Sequence, residues 1–178
     1  MPKIYATNGN NRYDPRERPM SAEDDARRER RLEWVRKRNE SLTGTLYKNV
    51  LKYVIPPLRE YCKVNGLIAP EEVSGDIYEF IDEMITFVNN SPREFFNSVD
   101  RCFSLWGDVE ETKSFLHSCQ MARNYIGHGN GRNLNMSTQH AALFTKLLNM
   151  IGATEASEDF DDWINSVKRS YPFSGRSS

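Results

Sequence analysis

The stretch DIYEFIDEMITFVNN, residues 76–90, constrains the fold more than any other part of the chain. Its apolar residues Ile77, Phe80, Ile81, Met84, Ile85 and Val88 recur at spacings of three and four. That is the period of one helix face; a half-buried strand would alternate every second residue. The same period returns in Leu46, Val50, Tyr53 and Val54, in Phe95, Phe96, Val99, Phe103 and Trp106, in Ala141, Phe144, Leu147, Leu148 and Ile151, and in Phe160, Trp163, Ile164 and Val167. No β-alternation of useful length and no internal repeat interrupts the pattern. The sequence therefore predicts an all-α fold: a compact bundle of about five to seven helices with a flexible, charged N-terminal arm.

Punctuation residues divide the pattern. Residues 1–20 are polar, have no apolar period and read as a flexible arm. Ser21 is the expected cap of a charged helix over 21–41, with Glu23, Asp24 and Asp25 in the first turn, where the helix dipole favours negative charge. Leu32, Trp34 and Val35 are its few apolar anchors. A core helical domain is expected over 42–170. Within it, Pro56-Pro57 should kink or break the first helix, and NGLIAPEEVSG should form a loop. Ser91 is a candidate cap, with Pro92 at the first helical position and Glu94 behind it, for a helix running to Gly107. Asp108 should cap the next helix. Ser137 should start the one that ends at Gly152, and SEDFDDWINSVKRS should form a last short helix. Residues 171–178 read as a loose tail.

Composition narrows the function classes. A chain of 178 residues with 38% hydrophobic and 28% charged residues suits one domain with polar extensions. The net charge is −1, so any attraction to nucleic acid must come from local patches. Arg27, Arg28 and Arg31 in the charged helix offer one such patch for RNA, although the interleaved acids equally suit a solvated helix with i,i+4 ion pairs. No apolar run approaches the roughly 20 residues that span a bilayer, and the N-terminus lacks the apolar region of a signal peptide. No membrane association is expected. The three cysteines, Cys62, Cys102 and Cys119, fit neither a zinc pattern nor a disulfide framework, and read as reduced, partly buried thiols. An intracellular protein is expected, with the cytoplasm favoured over the nucleus. His117, His128 and His140 are too scattered for a metal site, and no cofactor is expected. Trp34, Trp106 and Trp163 read as helix-contact residues rather than platforms for stacked bases.

One segment carries chemistry: QMARNYIGHGNGRN, residues 120–133. Its glycines lack the lysine and hydroxyl of a phosphate-binding P-loop and follow a helix rather than a strand. On a helix ending near Ile126, Arg123 shares a face with Leu116, Cys119 and Gln120, at the edge of the apolar side. Gly127 can adopt the left-handed conformation that ends helices, which would leave His128 just beyond the terminus. The following helix would then cross this corner with His140 in its first turn. A permanently charged arginine can fork around two phosphate oxygens, and a histidine can gain or lose a proton near neutral pH. RNA brings its own nucleophile, the 2′-hydroxyl, so such a pair needs no metal. On residue types alone the blander reading stands beside this one: Arg123 binding helix-end carbonyls, Asn124 capping, and His128 on a surface loop.

The motif ARNYIGHG, set in an all-helical domain, resembles the HEPN superfamily, the higher eukaryotes and prokaryotes nucleotide-binding domains. That family is marked by an arginine, four to six residues and a histidine, with a polar residue, often asparagine, directly after the arginine. Arg123, Asn124 and His128 match all three positions, and Gly129 matches a frequent form. The resemblance spans residues 42–170 but rests on these eight letters. It implies a metal-independent endoribonuclease that cuts RNA to a 2′,3′-cyclic phosphate and a 5′-hydroxyl, acting as a homodimer that joins two motifs in one cleft. By position, His128 would be the acid/base group, Arg123 would bind and polarise the phosphate, and Asn124 would orient one of them. Arg132, just beyond, joins the RNA-binding candidates. Some members of the family only bind nucleotides or proteins, so a non-catalytic helical binding module is the alternative. A third reading is an RNA-binding protein led by its arginine-rich first 40 residues, and the N-terminal arm is also a candidate surface for a protein partner.

Overall fold

Most of the 3.6-residue periodicities become helices. A computed structural model describes residues 21–128 and 134–170. Among the described residues there are six helices and no strand: α1 (Ala22–Val64), α2 (Ile77–Asn90), α3 (Pro92–Ser98), α4 (Val109–Gly127), α5 (Leu134–Met150) and α6 (Thr154–Ser170). The all-α expectation holds. The arm over 1–20 and the tail over 171–178 lie outside the described residues.

Contacts divide the chain into two units, Met1–Val35 and Arg36–Ser178. In the first, Ser21 caps α1 as expected: its Oγ accepts from the Asp24 N–H at 3.2 Å. Leu32 and Trp34 are 59% and 60% exposed, and Val35 is exposed too, so these side chains are not the buried anchors the sequence suggested. This stretch carries charged residues around most of its circumference and draws its order from local terms, the cap and the acidic first turn.

In the second unit a single core is built from every helix. α4 packs on α2 and α5, α5 on α6, and α2 on α3. α1 adds Leu46, Val50, Val54, Leu58, Tyr61 and Cys62, all buried. The expected boundary between residues 41 and 42 lies within α1, which is unbroken there. Nor do Pro56 and Pro57 end the helix. Each proline removes an N–H donor and strains the preceding turn. Val54 and Leu58, both fully buried, pack on either side of the pair, and that burial holds the helix through it.

α3 stops at Ser98 rather than at Gly107. Val99 turns extended, the Asp100 N–H donates to the Met150 carbonyl at 2.8 Å, and the Asp100 carboxylate accepts from the Cys102 N–H at 2.7 Å. These bonds satisfy backbone groups outside a helix, so continuing one gains nothing. Ser91 precedes α3 without a side-chain capping bond, whereas Asp108 caps α4 by accepting from the Glu111 N–H at 3.0 Å. α5 begins at Leu134, so Ser137 is not its cap; it is buried in the helix with no hydrogen-bond partner for Oγ among the described residues. α6 begins at Thr154, and Ser157 Oγ donates across to the Thr145 carbonyl of α5 at 2.9 Å.

The tryptophans separate. Trp163 stacks on Phe160 with centroids 6.2 Å apart, and the Trp106 indole N–H donates to the Phe96 carbonyl at 2.8 Å. Trp34 alone of the three is largely exposed. The cysteines are free thiols; Cys62 and Cys119 are buried and Cys102 is exposed. No described helix is long and apolar enough to cross a membrane.

Candidate functional site

The C-terminal half of α4 fastens onto the first turn of α2. The buried Gln120 donates from Nε2 to the Tyr78 carbonyl at 3.2 Å, and its Oε1 lies 3.1 Å from His117 Nδ1. One turn later Arg123 reaches Asp76, the residue just before α2. Arg123 Nε donates to Asp76 Oδ1 at 2.9 Å, and Nη2 donates to Oδ2. The pairing is side-on and bidentate, the strong form of an arginine–carboxylate contact. Nη2 also donates to the Tyr47 hydroxyl at 3.3 Å, and the guanidinium carbon lies 5.8 Å from the centre of the Tyr47 ring. Partial burial disfavours the charged form, but the hydrogen bonds and charge of Asp76, with Tyr47, outweigh it and hold the guanidinium above its ordinary value.

Asp76 is itself fixed by local structure. It is the N-cap of α2, with φ −98° and ψ 155°, and Oδ1 accepts from the Tyr78 N–H at 3.3 Å. Glu79 closes the capping box by accepting from the Asp76 N–H at 3.2 Å. Gly75 precedes it with φ +129°, a conformation for glycine, and a Cβ there would sit 2.5 Å from the Phe80 ring. Asp76 was not among the residues expected at the site. Its signal was nonetheless present: the sequence GDIYE, a glycine and then an acidic cap with glutamate three residues later, at the mouth of a strong amphipathic run.

Gly127 does something other than expected. It is the last residue of α4, not in a left-handed conformation, and the helix closes through His128, with φ −86°, ψ 6° and its N–H donating to the Asn124 carbonyl at 3.0 Å. The need for glycine is spatial. A Cβ on Gly127 would lie 3.3 Å from Arg123 Nη1 and 3.3 Å from Tyr47 Cε2. The guanidinium therefore runs along the end of α4 to the residue directly before His128. His128 is exposed, and Asn124 is half-buried between them in sequence.

The remaining expected residues divide. His140 lies in the second turn of α5, because that helix starts earlier than the sequence suggested, and its ring packs on Tyr125 with centroids 4.4 Å apart. Arg132 lies outside the described residues, and Arg27, Arg28 and Arg31 are exposed on the first unit's part of α1. Among the described residues no three His, Cys, Asp or Glu side chains are grouped as a metal would require. A cleft of about 620 Å³ is lined by Phe103, Phe115, Lys146, Asn149 and Met150, away from Arg123 and His128 in its lining. The chain matches no family model, no curated protein and no solved structure.

Proposed function

We propose that the chain is a HEPN-type, metal-independent endoribonuclease acting as a homodimer. The observation that carries the reading is the end of α4. There an oriented guanidinium lies against Gly127, one residue before an exposed histidine. In the proposed reaction the neutral His128 imidazole accepts the proton of an RNA 2′-hydroxyl. The freed oxygen attacks the adjacent phosphorus, and Arg123 donates to the oxygens that gather negative charge. The P–O5′ bond breaks, the departing O5′ takes up the proton that His128 had accepted, and a 2′,3′-cyclic phosphate, a 5′-hydroxyl and a neutral imidazole result. Atoms and charge balance without an ion, because the nucleophile belongs to the substrate. Asn124 orients one of the two groups, and Arg132 with the α1 arginines Arg27, Arg28 and Arg31 would hold the backbone through phosphate contacts.

The test is cleavage of single-stranded RNA by the purified chain in EDTA. His128→Ala and Arg123→Ala should each abolish cutting, and a 2′-deoxy substitution at the cleaved nucleotide should block it. Equal cutting by wild type and His128→Ala sinks the reading.

One observation favours a second reading. Arg123 already has a carboxylate partner, and its side chain is only 17% exposed. An arginine so engaged can serve purely to join α4 to α2 and α1 in a non-catalytic module that binds a nucleotide or a protein. That module would bind its partner without cutting RNA, and Arg123→Ala would unfold it rather than inactivate it.

A further inference from the structure

An arginine that is to stabilise a transition state must be aimed before the substrate arrives. A guanidinium has five N–H donors in one rigid plane. In this chain Nε–H and one Nη2–H go to the two oxygens of Asp76, and Nη2 also reaches the Tyr47 hydroxyl. Nη1 has no hydrogen-bond partner among the described residues, and it is the atom that lies against Gly127. The occupied edge of the fork thus faces α2 and the remaining edge faces the end of α4.

We propose that Asp76 is a positioning residue: by taking the Nε/Nη2 edge of Arg123 it turns Nη1 toward the phosphate bound beside His128. The proposal rests on the ribonuclease reading above. Three features of the structure fit aiming better than simple charge neutralisation. Asp76 cannot swing away, because its backbone and carboxylate are committed to the α2 capping box and Gly75 fixes its approach. Tyr47 adds a ring beside the guanidinium and a hydroxyl that accepts from Nη2, a second restraint from another helix. Gly127 keeps the outward edge clear of a side chain. Each feature is local to a different helix, and all three converge on one side chain.

A positioning role makes a specific kinetic demand. The aspartate already offsets much of the arginine's charge, so it contributes little to holding RNA in the ground state. Its loss should therefore slow the chemical step far more than it weakens binding.

Asp76→Asn tests this with the cap retained, since asparagine is as good an N-cap as aspartate. Its amide nitrogen would replace one acceptor with a donor and so break the bidentate contact. The expected result is a single-turnover cleavage rate lower by on the order of 10²-fold. Affinity for a 2′-deoxy-blocked RNA of the same sequence should change by less than about threefold. Asp76→Glu, which restores a carboxylate, should recover part of the rate. In parallel, the Nε–H resonance of Arg123, assigned through Arg123→Lys, should be slow to exchange in wild type and fast in Asp76→Asn. That readout needs no RNA.

The outcomes separate the two ideas. If wild type cuts and Asp76→Asn cuts equally fast, the positioning role falls and the ribonuclease reading stands. An unchanged Nε–H exchange in Asp76→Asn overturns the positioning role as well. If wild type does not cut, the ribonuclease reading falls and takes the catalytic role of Asp76 with it. Should Asp76→Asn fail to fold, Asp76→Ser keeps a good N-cap residue but removes the carboxylate and should slow cleavage at least as much; a wild-type rate there overturns the proposal in its place.

Discussion

Arg123 and the arginines of α1 carry the same group in opposite surroundings. Arg27, Arg28 and Arg31 stand exposed on a helix whose own apolar side chains are exposed as well. Arg123 is largely covered, paired side-on with Asp76, and set against Tyr47 and the Cα of Gly127. An exposed arginine keeps its rotamer freedom and its hydration, so any pair it makes contributes little. A covered and doubly bonded one has lost both, and removing it strands its partner. Position in the fold, not residue type, separates an adaptable charge from an aimed one.

The strongest way to break that contrast is Arg123→Ala. It leaves the Asp76 carboxylate without its cation and opens space beside Tyr47, and should cost about 1–3 kcal/mol of folding stability. Urea unfolding gives the figure. A loss no larger than that of Arg28→Ala would show that the corner is not held as described.

Alkaline pH probes the covered side of the comparison next. Burial pushes the thiols of Cys62 and Cys119 up from 9.0 to about 12, and burial likewise raises the Tyr61 hydroxyl from 10.0 to about 12. In each case the folded chain keeps a proton that the unfolded chain gives up at lower pH. Their contribution to stability is thus fully present below about pH 9 and is lost as pH rises toward about 12. The urea midpoint should fall across that window, and Cys62→Ala with Cys119→Ala should flatten part of the fall. A midpoint as steep in the double variant would assign the loss to other groups.

Two glycines sharpen the contrast at smaller cost. Gly44 lies within α1, and a methyl group added there would meet nothing within 4 Å, so Gly44→Ala should raise stability by about 0.5–1 kcal/mol through helix propensity. Gly127→Ala gains the same propensity but presses a methyl on Nη1 and on the Tyr47 ring. Thermal melts should show the second gain reduced or reversed, and on the proposed ribonuclease reading cleavage should drop. Equal stabilisation by the two would mean that Arg123 and Tyr47 move aside freely.

The smallest expected effect is that of Arg27→Ala, Arg28→Ala and Arg31→Ala, each within about 0.5 kcal/mol of wild-type stability. On the proposed ribonuclease reading, their combined loss should weaken RNA binding and lessen its salt dependence, seen in filter binding at two ionic strengths. A large destabilisation from any one of them would remove the distinction between the regions.

Much of the fold was legible because helix periodicity is local. Ile77, Phe80, Ile81, Met84 and Val88 announced α2 and are all buried. Asp108 announced the start of α4 and caps it. The misreadings came where a distant element outweighed a local rule. Core packing around Val54 and Leu58 carries α1 through Pro56-Pro57, and the Met150 carbonyl draws Asp100 out of a helix that its own sequence would extend. At the candidate site, the arginine, asparagine and histidine could be picked out by type and spacing. Their surroundings could not, since Asp76 and Tyr47 lie 47 and 76 residues away from Arg123 along the chain.

The sequence by itself determined the helical class, the caps of α1 and α4 and the residues that mark the end of α4, because each depends on neighbours within a turn or two. The tertiary structure decided which carboxylate meets Arg123 and why Gly127 carries no side chain. Those answers depend on which helices come together, and spacing along a chain does not encode a partner on another helix until packing has placed it.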